Sequence, residues 1–335
     1  MLPNANIVTL MVAWIGQQSC GRFLPSSTSA NRYRLAQSLP SHSVSTSNDI
    51  NENWSSGIPD YFLKSVLDYP PESQTLLLQD HQDSEVTPGF FQGDMAGLGP
   101  EFLAHTRVGL KWDVFPERKW TNGTVPFVIS SLYLPNERLV IERAISTLNF
   151  MTCINFVPWD GKAKDYLLIW PVEQPAGCWS YIGKRGGQQI VSLRQPDKRS
   201  PRCFGSVGKP IHELLHALGV FHEQARSDRD DHVTVITENV IPDYLHNFNK
   251  QSELNATFSF DYDYNSIMHY GSHFFSYSPR DKPTIVPKVE GVKIGQRIML
   301  SKTDCLKVNH LYDCLDESNP FQRDKYLTIC RILGL

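Results

Sequence analysis

Residues 210–224 read PIHELLHALGVFHEQ, three histidines and two glutamates in fifteen positions. An ordinary core helix has no use for so much titratable chemistry. His212 and His216 are four residues apart, about one helical turn, so both imidazoles project from one face and can reach a single ion. Glu213 lies beside them, where its carboxylate can address a water on that ion. Gly219 follows His216 by three residues, and His222 follows Gly219 by three. On a continuing helix His222 would point away. A glycine adopts positive φ and turns the chain sharply, which carries His222 back as a third ligand. Three imidazoles suit Zn2+ and leave one position for water. A closed structural site ordinarily has four ligands, often cysteines. The expectation is therefore one catalytic Zn2+ per domain. The ion would acidify its water and polarise a peptide carbonyl, with Glu213 as general base and then general acid. A catalytically silent zinc-binding or adhesion protein is the alternative, and it has to explain why Glu213 and all three histidines are present.

The rest of the chain frames that site. It has 335 residues, 20% charged, with a formal net charge of -3. No basic excess points to nucleic acid or to an anionic membrane as partner. The apolar run IVTLMVAWI, residues 7–15, followed by GQQSCG, has the form of a secretory signal peptide over 1–20, though without a Lys or Arg before it. It is short for a membrane span, so no stable membrane insertion is expected. A secreted, extracellular protein also suits seven cysteines. With Cys20 in the leader, Cys153, Cys178, Cys203, Cys305, Cys314 and Cys330 remain, and spacing alone does not choose their pairing. Glycosylation sequons stand at Asn53, Asn122 and Asn255.

From 21 to about 100 the chain is Ser- and Asn-rich without sustained periodicity and reads as a leader or prosegment. From Trp120 the texture changes. TVPFVIS, INFVPW, DYLLIWPV and GQQIVSL are strand-like, the last preceded by the turn residues Arg185, Gly186 and Gly187. NERLVIERAISTLNFMT is expected to be helical, capped by Asn136, with Leu139, Ile141, Ala144, Ile145 and Leu148 on its buried face. HVTVITENVIPDYLHNF, from 232, reads as a further helix, and SKTDCLKVNHLYDC as the closing one. Strands and helices are mixed, so the fold class is α+β.

HELLHALGVFHEQARSDRD closely resembles the signature of the astacin metallopeptidases, within the metzincin group. YNSIMHY, residues 264–270, resembles the methionine turn of that group. The resemblance implies two subdomains flanking an active-site cleft, with a twisted mixed sheet and a long zinc-binding helix. It implies that Met268 lies under the metal and that Tyr270 is a further zinc ligand, one that swings off to stabilise the transition state. Read by themselves, Met268 is core packing and Tyr270 has no special claim. His269 between them is not a ligand in the pattern. Glu223 is implied to receive the new N-terminus of the mature enzyme. FFQGDMAG resembles the family's prosegment motif, whose aspartate, here Asp94, binds zinc in the zymogen. An activating protease would then cut between Asp94 and Trp120, with Arg107 and Lys111 as basic candidates. The prosegment is 21–107, its boundary lying within 107–111, and the catalytic domain with a short tail is 108–335. By resemblance Cys153 pairs with Cys314 and Cys178 with Cys203, while Cys305 and Cys330 could pair with each other or remain free. GGQQIVSL is implied to be the cleft's edge strand, with Gln189, Ile190, Val191 and Ser192 receiving a protein or peptide substrate as an antiparallel partner. A monomer is expected.

Overall fold

The computed structural model describes residues 84–87, 89–97, 110, 112–198, 200, 202–251 and 260–333. The expected signal peptide, Asn53, Asn255, Arg107 and Lys111 lie outside the described residues. Among those described, no helix is long and apolar enough to cross a membrane.

A six-stranded sheet organises the domain. Its strands are β1 (Met95–Ala96), β2 (Thr124–Ile129), β3 (Asn155–Pro158), β4 (Tyr166–Trp170), β5 (Cys178–Tyr181) and β6 (Gln188–Leu193), in the order β1-β5-β6-β4-β2-β3. β5 runs antiparallel to β6, and the remaining pairs, including β1 on β5, are parallel. This order corrects the expected edge strand. β6 is bonded on both sides, with Ile190 opposite Leu168 and Val191 opposite Ser180. Gln189 turns inward, its side-chain amide donating to Gly183 O at 3.0 Å, and Ser192 Oγ donates to Gly177 O at 2.9 Å. A strand whose backbone is already paired has no row of groups left for a substrate. Beyond β6 the sheet continues to β5, and the short N-terminal strand β1 lies on the rim of β5.

Helix α1 (Pro135–Met151) starts two residues earlier than expected. Leu134 is its N-cap, Pro135 stands at N1, and Glu137 Oε2 accepts the Leu134 N–H at 2.8 Å; Asn136 is inside the first turn. Ile141, Ala144, Ile145 and Leu148 are buried, but Leu139 is 47% exposed. Residues two apart on a helix point some 200° apart, so Leu139 cannot share the face of Ile141. The segment from 232 is not a helix. Val233–Val235 forms β7, paired antiparallel with β8 (Ile285–Pro287), and 3-10 turns follow at Thr237–Asn239 and Pro242–Phe248. A β-branched run with a strand to pair, followed by Pro242, outweighs its helical spacing.

The zinc-motif helix, α2 (Gly208–Ala217), is only ten residues long and almost wholly buried. It packs in the main core with α1, the sheet and α3 (Lys302–Leu311) through Val125, Leu148, Leu167, Leu214, Met268 and Val308. A second core gathers Val233, Tyr244, Phe248, Tyr262, Tyr270, Phe275 and Ile285, and Val86 from ahead of β1 joins it. The last segment is a helix, not a loose tail: α4 (Pro320–Ile332) is capped by Asn319 and buries Tyr326 and Cys330. Disulfides join Cys153 to Cys314, Cys178 to Cys203 and Cys305 to Cys330. The first closes most of the domain into one loop, and the third fastens α4 to α3.

Candidate metal centre and active site

α2 ends where its sequence demands. Leu218 is still right-handed, Gly219 takes φ +96°, and Val220 N–H bonds back to Leu215 O at 3.0 Å. A Cβ on Gly219 would sit 2.7 Å from the Trp112 ring, so both the dihedral and the packing require glycine. The reversal places His222 beside the helix. His212 Nε2 and His222 Nε2 are 3.2 Å apart, and His216 Nε2 lies 3.4 Å from Asp94 Oδ1. Asp94 Oδ2 is 3.1 Å from His212 Nε2 and 3.2 Å from His222 Nε2. All four side chains are fully buried.

These residues fit a zinc ion. Each Nδ1 faces an acceptor: Ile267 O at 2.9 Å for His212, Val220 O at 2.8 Å for His216, and Gln92 Oε1 at 2.9 Å for His222. That arrangement puts the proton on Nδ1 and turns three Nε2 lone pairs toward one point. Burial pulls His212 down and His222 to about 3, so the neutral, metal-binding form prevails. His216 Nε2 and Asp94 Oδ1 have no hydrogen-bond partner, a cost that a shared cation removes.

Glu213 is fully buried with neither carboxylate oxygen hydrogen-bonded. Burial first, then the charges of Asp94 and Glu85, push its pKa well up. Asp94 goes the other way: burial would raise it, but His222 and His216 outweigh that and hold it well below the usual range. Two carboxylates in one dry space divide in this manner. The Tyr270 ring lies 4.7 Å from that of His222, and its hydroxyl donates to Gln92 O at 2.5 Å. Met268 is buried in the main core, and its carbonyl accepts the Glu223 N–H at 3.0 Å. His269 is buried and structural, with Nδ1 on Tyr270 O and Nε2 on the Tyr262 hydroxyl.

Several residues around the site carried no local signal in the sequence. Ser84 O accepts the Cys178 N–H at 2.8 Å, and Asp94 O accepts the Ser180 N–H at 2.9 Å, so the strip from 84 to 97 takes the rim of β5. Glu85, buried, receives Arg297 Nε at 2.9 Å on each oxygen and Nη2 at 2.8 Å. Burial alone would raise Glu85, but Arg297 pulls it to about 2. Glu223 is met by Lys307 of α3 and by Arg226 at 3.1 Å. Asn122 is exposed in the 3-10 turn just ahead of β2, compatible with its sequon.

Comparison with known proteins agrees with this geometry. The model of the astacin peptidase family matches residues 113–313. Zinc metalloproteinase nas-4 of Caenorhabditis elegans is 43% identical over 201 residues, 59% of this chain and 60% of that protein. High choriolytic enzyme 1 of Oryzias latipes is 43% identical over 200 residues, 59% of this chain and 69% of its own length. The solved structure of that hatching enzyme zinc-protease superposes with a TM-score of 0.51 at 35% identity, covering 66% of this chain and all of that one. Zinc metalloproteinase nas-14 of C. elegans is 40% identical over 201 residues, 60% of this chain but only 38% of its own length. The chain thus spans less than two thirds of both worm relatives. With its family model matched over more than half the chain, and with the zinc-ligand geometry above, this protein belongs to the astacin family.

Proposed function

We propose that this protein is a secreted zinc endopeptidase made as a zymogen, acting on protein or peptide substrates. One observation carries the reading: three buried Nε2 atoms converge beside an unbonded Glu213, and a prosegment carboxylate stands in the same place. A bound Zn2+ would supply Lewis-acid polarisation of the scissile carbonyl and acidify a water. The chain's own residues do the rest. Glu213, raised by burial, holds the proton taken from the attacking water and delivers it to the leaving nitrogen. Tyr270, freed from Gln92 O, donates its hydroxyl to the developing oxyanion. The β5 rim, freed from β1, binds the substrate backbone by strand addition.

Latency follows from the same contacts. Asp94 blocks the imidazole site, Gln92 holds both His222 and Tyr270, and Glu85 neutralises Arg297. Removal of 21–107, by a cut between Asp94 and Trp120, releases the three imidazoles, Tyr270 and Arg297.

The test uses secreted full-length protein before and after limited trypsin, with bound zinc, N-terminal sequence and cleavage of a denatured protein measured. Activity is expected only after the cut, and a chelator is expected to abolish it. Glu213→Gln should keep zinc and lose about 10²–10⁴-fold in kcat. Absence of zinc, or near wild-type turnover by that variant, overturns the mechanism.

A further inference from the structure

The family resemblance assigns the Glu223 carboxylate to the N-terminal ammonium created by activation. In this chain that carboxylate already has its cations before any cut. Lys307 Nζ donates to Glu223 Oε2, while Oε1 accepts Arg226 Nη1 at 3.1 Å and the Asp263 N–H at 2.9 Å. Glu223 is 1% exposed and the Lys307 side chain 11%. Arg226 is shared, since its Nε and Nη2 also hold Asp228 at 2.8 and 2.7 Å. Among the described residues Lys307 makes its ion pair with Glu223 and with no second carboxylate.

The position of Lys307 is built. Ser301, Asp304 and Lys307 recur every three residues along one side of α3. Asp304 grips the methionine turn, accepting Ser266 Oγ–H at 2.6 Å and Ile267 N–H at 2.8 Å, and Ser301 Oγ donates to Asp263. One helix therefore ties the turn below the metal site to the residue following ligand His222. The segment that would lead from the new N-terminus is also seated in the uncut chain. Leu110 N–H bonds Gly219 O at 2.9 Å, Trp112 Nε1 donates to Leu311 O at 2.5 Å, and Trp120 Nε1 to Ala217 O at 2.8 Å.

We infer that Lys307 is the internal counter-ion of Glu223, a positioning residue that takes the place of the mature N-terminal ammonium. The ligand strand is set before activation, and the mature enzyme works from more than one first residue. This rests on the peptidase reading only for its kinetic consequence.

The experiment takes the full-length zymogen with a specific-protease site placed so that cleavage leaves Val108 first, Trp112 first, or two extra residues ahead of Val108. Each form is treated with an amine-acylating reagent and mapped by mass spectrometry, and its kcat and KM are measured. Expected are a freely acylated α-amino group and a protected Lys307 in every form. The values of kcat/KM should agree within about twofold, the scatter of neutral surface changes. Lys307→Met should lose roughly 10²-fold in kcat, the scale of a small ligand misplacement, with Lys307→Arg restoring most of it. Protection of the α-amino group in one form with exposure of Lys307, or a tenfold preference for one start, overturns the assignment. Should Lys307→Met fail to fold, the wild-type series decides by itself. The expected labelling with no hydrolysis from any form would sink the peptidase reading and leave Lys307 assigned.

Discussion

Glu85 and Asp94 are two buried carboxylates on one strip, residues 84–97, and they are held in opposite ways. Asp94 stands among three imidazoles, of which burial pulls His212 and His222 toward the neutral form, at a place suited to a cation. Glu85 is bound by a permanent guanidinium that it meets with both oxygens. One contact faces a place suited to a cation, and the other carries its own cation. A strip tied at two points resists accidental opening at either, because each contact keeps the other's partners close.

The sharpest way to break this comparison is Asp94→Ala. Loss of a buried charged partner costs on the order of 3–5 kcal/mol of docking. The uncut variant should hydrolyse a peptide that the uncut parent does not, and 91–97 should exchange amide hydrogens faster. Glu85→Gln should do less. It retains one acceptor oxygen for Arg297, and losing a charge-assisted bond costs about 1.5–3 kcal/mol. Its faster exchange should be concentrated at 84–87, with zinc content unchanged. Equal effects of the two variants on both stretches would mean that the strip behaves as one unit.

Acid gives the smallest and most selective perturbation. Glu85 falls from an ordinary 4.5 to about 2, so its contribution is complete above 4.5 and is lost as pH drops toward 2. Linkage puts the loss at a small fraction of a kcal/mol at pH 5 and on the order of 2 kcal/mol at pH 3. Latency should persist at pH 5, and the exchange difference between parent and Glu85→Gln should shrink between pH 4.5 and 2. A prosegment released at pH 5 with Glu85 still charged would place the controlling group elsewhere.

The metal site was legible because its information is local. His212, Glu213, His216, Gly219 and His222 lie within eleven residues, and helical geometry with one left-handed glycine sets their directions. The family's prosegment motif added Asp94. Reading failed where pairing was distant. GGQQIVSL looks like any half-buried strand, and only the sheet order puts it inside and β5 beyond it. The segment from 232 carries β-branched residues and helical spacing together, and the strand at 285–287 decides between them.

By itself the sequence determined the convergence of three histidines, the acid beside them, the chain reversal at Gly219 and the mixed α+β class. These follow from side-chain chemistry and backbone dihedral limits over a few residues. Only the tertiary structure decided that Arg297 answers Glu85 across 212 positions, that Lys307 answers Glu223 across 84, and that the last thirteen-residue helix is pinned by Cys305 and Cys330. A buried charge takes whichever partner the packed core brings within reach, and no spacing along the chain encodes that choice.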